Sequence, residues 1–403
     1  MSFLAALSTV TGLIGFAMIP VFGTTAGLGI AGLKSTKEVI EVKFTAGRCG
    51  LGDACGGHIP SVGLWDLHGG YLGFDHKHGH HIDQGGFRTE HINTLHSSGR
   101  PRYIAVAAQK KDAICVSSMA VAYPDGEPVM MVMDPLTVDQ CGMPWYQSLE
   151  TIGHLDLRPR CVWIDGSGKS KNRAAAGSHG NYQDPPAGFS LDIEAFMRYN
   201  FSEHNAKQWS DQPELICGHQ ARFKKWDDMK GRITVPVFAE KPLKYGPDGC
   251  DTKDFLAKDW YESERLHNDI RRRSADDADD NDQDEEESDE TIAARKELLL
   301  HGTLVKGEQS AEALCSSASS YGPDWYSYEE HHYCHMETKT LLPGCSAEVT
   351  EECFDADKHE VRHRFCGFGR KCRRGLAGAI PVKTFQRIGM LETQTEWALF
   401  PKG

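Results

Sequence analysis

The sequence predicts a mainly β protein: an antiparallel, sandwich-like core with added helices and a disulfide-linked C-terminal segment. Short apolar runs recur through the first half of the chain, each closed by Gly, Pro, Asn or Asp turn chemistry. Helical periodicity is confined to a few later segments. The 13 cysteines often lie in polar, turn-rich surroundings, as in Arg48-Cys49-Gly50 and Gly344-Cys345-Ser346, which suits bridges made in an oxidising compartment.

Residues 1–33 carry no charged side chain, and Lys34 is the first. The apolar stretch from Ser2 to Phe22, followed by the small residues Thr24-Thr25-Ala26, reads as an export signal with a cleavage point, although only the terminal amine supplies its basic end. A membrane span is the second reading. Pro20 and the glycines at 12, 15, 23, 27 and 29 interrupt a stretch that barely reaches the roughly 20 residues a span needs. An apolar helix kept in the mature fold is the third. Membrane contact, where the segment is not cleaved, runs through residues 2–22.

Residues 34–269 form the expected β-rich domain. Ile40, Val42 and Phe44 alternate with Glu41 and Lys43, the period of a half-buried strand. Val62 to Leu67 gives another short strand. Tyr103 to Ala108 and Ala113 to Tyr123, separated by Gln109-Lys110-Lys111-Asp112, read as a hairpin. Pro124-Asp125-Gly126 is a turn, because Pro presets φ and Gly tolerates a positive one. Pro128 to Met133 and Arg160 to Asp165 return as strands. Ser190 then caps an expected helix over Leu191 to Tyr199, with Ile193, Phe196 and Met197 on one face.

Arg271-Arg272-Arg273 opens the linker at 270–290, whose acidic run from Ala275 to Glu290 repels itself and buries nothing. The tribasic stretch is either a cut site for a processing protease or a solvated counterweight to the acids. Thr291 to His301 reads as a helix closed by Gly302. It begins the cysteine-rich segment 291–403, which is expected to pack on the main domain. Seven cysteines precede the acidic run and six follow it. The preferred pair is Cys141 with Cys161, each bracketing a strand end near Trp145 and Trp163; Cys49–Cys55 and Cys345–Cys353 would close small loops.

A net charge of −13 leaves no basic excess for a polyanion, so nucleic acid is not an expected partner. The sequon Asn200-Phe201-Ser202 is a glycosylation acceptor in an exported chain. Gly166-Ser167-Gly168-Lys169-Ser170 ends like a phosphate loop, but the first glycine of that loop falls on Trp163, whose bulk would occupy the phosphate cradle. No motif asks for a cofactor, and neither a Gly-x-Ser-x-Gly elbow nor a His-Glu-x-x-His helix is present. Two constellations remain. His76, His78 and His80 share one face if extended and, with Asp75 or Asp83, suit a transition metal; Lys77 and the glycines at 73 and 79 suit an exposed polar loop instead. Asp165, Asp324 and Glu329 lie beside Trp163, Trp325 and Tyr328, a pattern that suits a sugar hydrolase or simply a Trp-rich core.

Several segments together resemble a family of uncharacterised secreted proteins from filamentous fungi. They are the apolar opening, Gly57-His58-Ile59-Pro60, Trp65-Asp66, Ala113-Ile114-Cys115-Val116-Ser117, Cys141-Gly142-Met143-Pro144-Trp145-Tyr146 and Cys161-Val162-Trp163-Ile164-Asp165-Gly166. Near the end they continue with Gly322-Pro323-Asp324-Trp325, Cys334-His335-Met336-Glu337-Thr338-Lys339 and Cys353-Phe354-Asp355. The resemblance implies secretion and a β-rich fold, and no reaction. Where the family pattern continues Asp-His-Ser-Asn-Gly after Gly166, this chain reads Ser167-Gly168-Lys169-Ser170-Lys171-Asn172, so a site built on that Asp-His pair is not carried over. The strand–Gly-turn–strand opening is also similar in shape to lipid-associated PLAT-type sandwiches, a likeness without functional content.

The expected function is that of a secreted binding or interaction protein with an extracellular or cell-surface ligand and no identifiable catalytic site. The alternatives are an extracellular polysaccharide hydrolase and a metal-binding protein using the His76–His80 cluster.

Overall fold

The computed structural model describes residues 39–50, 55–66, 71–75, 80–94, 100–108, 112–123, 129–132, 138–139, 141–149, 159–166, 185–193, 211–215, 217, 222–227, 303–366, 370–371, 385 and 387–390. Outside them lie the apolar opening, His76, His78, Asn200, the tribasic and acidic linker, and the expected helix at 291–301. The chain divides into two units, one of residues 1–48, 55–178 and 182–292, the other of 49–54, 179–181 and 293–403. No helix among the described residues is long and apolar enough to cross a membrane.

The first unit carries strands β1 (Val39–Ala46), β2 (Gly57–His58), β3 (Ser61–Trp65), β4 (Tyr71–Asp75), β5 (His81–Ile82), β6 (Phe87–Asn93), β7 (Tyr103–Ala107), β8 (Ile114–Val121), β9 (Val129–Val132), β10 (Trp145–Gln147), β11 (Arg160–Ile164), β12 (Gly188–Asp192) and β13 (Phe223–Trp226). One sheet runs β10-β11-β8-β1-β6, with β9 also on β8. A second runs β13-β12-β7-β3-β4, and β2 pairs with β5 alone. The pairings described in this unit are antiparallel.

Strand β1 forms where alternation predicted it. Ile40, Val42 and Phe44 are fully buried, and Lys43 between them lays its ammonium over the Phe87 ring at 3.6 Å. Strands β3, β7, β8 and β12 are buried at every position, the expected state of central strands covered on both faces. Trp65, Trp145 and Trp163 are core side chains, each about 1% exposed.

Two expectations fail here for the same reason. Strands β7 and β8 are not a hairpin: β7 pairs with β3 and β12, while β8 pairs with β1, β9 and β11 in the other sheet. Ser190 does not cap the expected helix, because Ser190, Leu191 and Asp192 belong to β12 between β7 and β13; Ile193 is the first helical residue, and 194–199 lie outside the described residues. The Ser190 hydroxyl instead accepts the Trp226 indole N–H at 3.0 Å. Runs this apolar satisfy their backbone in sheet ladders, and long-range pairing overrides local propensity.

The cystine connectivity also differs. Cys161 bonds Cys115, and Cys141 bonds Cys217, so the expected Cys141–Cys161 bridge does not form. Cys115 and Cys161 lie on the adjacent strands β8 and β11. Cys49 and Cys55 are each disulfide-bonded.

The second unit contains β14 (Thr303–Gly307), α1 (Ala311–Ser316), β15 (Asp324–Ser327), β16 (His332–His335), β17 (Thr340–Pro343), β18 (Cys353–Asp355), β19 (Glu360–Arg362), β20 (Phe365–Cys366), β21 (Arg370–Lys371) and β22 (Arg387–Met390). Its main sheet, β17-β16-β15-β14-β22, is mixed, because β14 runs parallel to β15 and β22. The connection through α1 is long enough to return the chain parallel. Ser310 caps α1 by accepting the Ala313 N–H at 3.0 Å. Leu304, Tyr326, Tyr333, Leu342 and Phe354 form the core, with Tyr333 and Phe354 stacked at 4.1 Å. Cys315 bonds Cys334, and Cys345 bonds Cys353 across the short loop that the sequence suggested.

Candidate functional site

The carboxylates expected to face one another across a sugar site do not form such a pair in the second unit. Asp324 is fully buried at the start of β15, where its two oxygens accept the Tyr333 hydroxyl at 2.7 Å and the Met336 N–H at 2.8 Å. Glu329 is exposed in the turn beyond the far end of that strand. A strand advances about 3.3 Å per residue, so the length of β15 separates the two. Asp165, in the first unit, is 4% exposed and follows β11, with its N–H donated to the Pro186 carbonyl. Trp325 is fully buried and donates its indole N–H to the Gln309 carbonyl. Trp163 and Trp325 are core, not walls of a cleft.

Of the expected histidine cluster, His80 is described and exposed; its carbonyl accepts the Ile59 N–H at 2.9 Å. The next residue does more. Strands β2 and β5 pair His58 directly with His81. Opposite residues of an antiparallel pair hold their Cβ atoms about 5 Å apart, so the two imidazoles are neighbours by register. The ladder is anchored beside the start of β8. The Cys55 carbonyl accepts the Cys115 N–H at 3.1 Å, and a Cβ on Gly57 would stand 2.6 Å from the Ala113 carbonyl oxygen. Only a glycine permits that approach. It brings the turn before β8, and with it Asp112, against His58.

The result is a compact His–Asp–His cluster. His58 Nδ1 donates to Asp112 Oδ2 at 3.0 Å, and His81 Nδ1 lies 3.5 Å from the same oxygen. The rings meet edge to face at 6.0 Å. Asp83, fully in solvent, approaches His81 Nε2 at 3.9 Å. Exposure rises from 5% for the Asp112 side chain through 17% for His58 to 32% for His81. A buried carboxylate therefore sits beneath two imidazoles that solvent reaches. Sequence reasoning named neither His58 nor Asp112 as a site residue. They are 54 positions apart, and the close approach of Gly57 to the start of β8 joins them.

A second polar cluster lies in the other unit. The Lys339 ammonium donates to the Ser320 carbonyl at 2.6 Å and to the Ser320 hydroxyl, with Met336 Sδ at 3.9 Å. Ser320 is 2% exposed and its hydroxyl donates to the Leu314 carbonyl, which ties down the end of α1. This is a structural serine rather than an accessible nucleophile. Burial pushes Lys339 down to about 7, with the Asp324 carboxylate pulling the other way. The unfolded chain, with its ordinary 10.5, then holds a proton that the folded chain lacks across the window from about 7 to 10.5, so stability rises with pH there. Burial also lowers Lys43 and Lys306, which act in the same sense; Tyr326, held above 10, acts oppositely at higher pH. In urea unfolding, the stability of Lys339→Met relative to the parent is expected to fall between about pH 7 and pH 9 as the parent gains. A difference that does not change with pH would contradict the buried-amine account.

No described protein family matches the chain, and no curated protein matches it. Among solved structures, two variant LOX crystal structures match in part. One is 7% identical over 27% of this chain and 21% of the LOX chain; the other is 8% identical over 37% and 18%; the TM-score is 0.19 for both. The chain therefore spans about a fifth of either LOX chain, and a likeness this shallow carries no statement of fold or function.

Proposed function

We propose that this chain is an exported binding protein, akin to the secreted fungal proteins it resembles, whose two antiparallel N-terminal sheets are the layers of a sandwich. The observation that carries the reading is the set of disulfides among the described residues of both units, Cys115–Cys161, Cys141–Cys217, Cys315–Cys334 and Cys345–Cys353. A reducing cytosol does not keep so many bridges. The sandwich is supported by strands buried on both faces in each sheet, and by the approach of β4 to β6, where a Cβ on Gly73 would lie 2.7 Å from Ile92 Cγ2. Binding is favoured over polysaccharide hydrolysis because Asp324 spends its oxygens on Tyr333 and Met336. The ligand is expected outside the cell or on its surface.

The test is recovery of the intact chain from the medium of a secreting host, followed by thiol titration before and after reduction. The expected result is medium-borne protein whose thiols become titratable almost entirely after reduction. Retention inside the cell with free thiols would overturn export. Release of reducing ends from a panel of polysaccharides, lost in Asp324→Asn with the fold preserved, would overturn the binding reading in favour of hydrolysis.

A further inference from the structure

We propose that His58, His81 and Asp112 bind a divalent transition-metal ion, with zinc the ion whose coordination they suit best. The argument begins with donor chemistry. Two imidazole nitrogens and one carboxylate oxygen are a borderline set that suits zinc, cobalt, nickel, copper or iron, whereas calcium and magnesium take oxygen cages. The three donor atoms lie within 4.8 Å of one another.

The spacing then fits a small tetrahedral ion. Zinc bonds of roughly 2.0–2.1 Å require donor–donor edges of about 3.3–3.4 Å. The two nitrogen–oxygen edges, at 3.0 and 3.5 Å, already bracket that length. The nitrogen–nitrogen edge, at most 4.8 Å, closes by small rotations of side chains on adjacent, paired residues. An ion between the three atoms would replace the hydrogen bond between His58 and Asp112.

Access follows the exposure gradient. The ion meets His81 first, at 32% exposure, and reaches Asp112 at 5% last. Three protein donors leave a four-coordinate ion one position for water or an incoming anionic group. The site depends neither on the export reading nor on the sandwich, and it differs from the His76, His78 and His80 cluster that the sequence suggested.

The experiment uses the full chain without added affinity histidines, stripped with a chelator and titrated with Co²⁺ and then Zn²⁺. The expected result is one equivalent of cobalt with the intense visible bands of a low-symmetry four- or five-coordinate site, displaced by zinc. His58→Ala, His81→Ala and Asp112→Asn are each expected to weaken zinc binding by more than about a hundredfold, since even outer-shell losses cost 10–100-fold. The combined His76→Ala, His78→Ala, His80→Ala variant is expected to bind as the parent does. His81 lies on a two-residue strand and is partly exposed, so His81→Ala is the variant least prone to misfolding; near-ultraviolet circular dichroism verifies its fold. Absence of saturable cobalt binding by the parent overturns the proposal. So does a folded His81→Ala protein that binds as tightly as the parent, or loss of binding confined to the His76, His78, His80 variant.

Discussion

Replacing Asp192 with alanine is expected to destabilise the protein by about 3–5 kcal/mol. Asp192 is fully buried at the end of β12, and its Oδ1 lies 2.6 Å from Arg102 Nε, itself 4% exposed. The backbones interlock around the pair: Asp192 N–H donates to the Arg222 carbonyl at 3.0 Å, and Ile193 N–H donates to the Arg102 carbonyl at 2.8 Å. Arg222 is buried as well, at 1% exposure. Removing the carboxylate takes the anionic oxygen at 2.6 Å away from a buried guanidinium, and the desolvation of that charge sets the size of the loss. The pair itself is worth far less than its breakage costs. Arg102→Met combined with Asp192→Ala is therefore expected to recover most of the loss, since it removes both charges and keeps apolar volume. Urea unfolding of the two variants decides the matter. A single substitution costing under about 1 kcal/mol would mean that water or another partner already serves Arg102.

The same physics explains what the sequence could and could not disclose. Strand β1 was legible because Ile40, Val42 and Phe44 on one face are fully buried while Val39, Glu41 and Thr45 on the other are only partly so, which writes alternation into the sequence. Strands β9 and β11 were legible because turn chemistry and apolar content bound them. Strands β7 and β8 were found, but their partners were not: a strand buried on both faces has no alternation to fix which sheet it joins. Ser190 ahead of an apolar run carries the signature of a cap, yet its hydroxyl is an acceptor inside a sheet. The parallel placement of β14 beside β15 was hidden because nothing local distinguishes a crossover through a helix of six residues from a loop.

The site was legible only in part, and for a related reason. The histidine-rich run at residues 75–83 drew attention to this stretch of chain, and His81 lies within it. The partners that complete the cluster come from β2 and from the turn before β8, brought together by Gly57. Such a site has no spacing to recognise. The carboxylates had the opposite fault: Asp324 beside Trp325 looked like sugar chemistry, while its oxygens hold Tyr333 and Met336 in place. A residue type near an aromatic says little until its hydrogen bonds are counted.

The second large effect concerns Cys115 and Cys161. Removing both, as Cys115→Ala with Cys161→Ala, is expected to cost about 4 kcal/mol, the chain-entropy value for a bridge that closes a loop of this length. Their sequence separation is 46. In the folded protein the bridge joins strands that the β8–β11 ladder already holds together, so it adds little there. Its effect lies in the unfolded chain, which it keeps compact. The surroundings point to an added penalty. Both cysteines are fully buried, and Gly47 packs so closely on the bridge that a Cβ there would stand 2.6 Å from Cys161 Sγ. Two alanines leave a void that neighbouring backbone cannot fill without shifting. The contrast is the Cys345–Cys353 bridge, with a separation of 8, for which the same relation gives about 2.5 kcal/mol. Denaturant unfolding of the two double variants under non-reducing conditions should therefore rank the longer loop as the costlier loss. The reverse order, or a negligible cost at Cys115 and Cys161, would mean that the unfolded chain is already compact without the bridge and that the ladder between β8 and β11 carries the stability by itself.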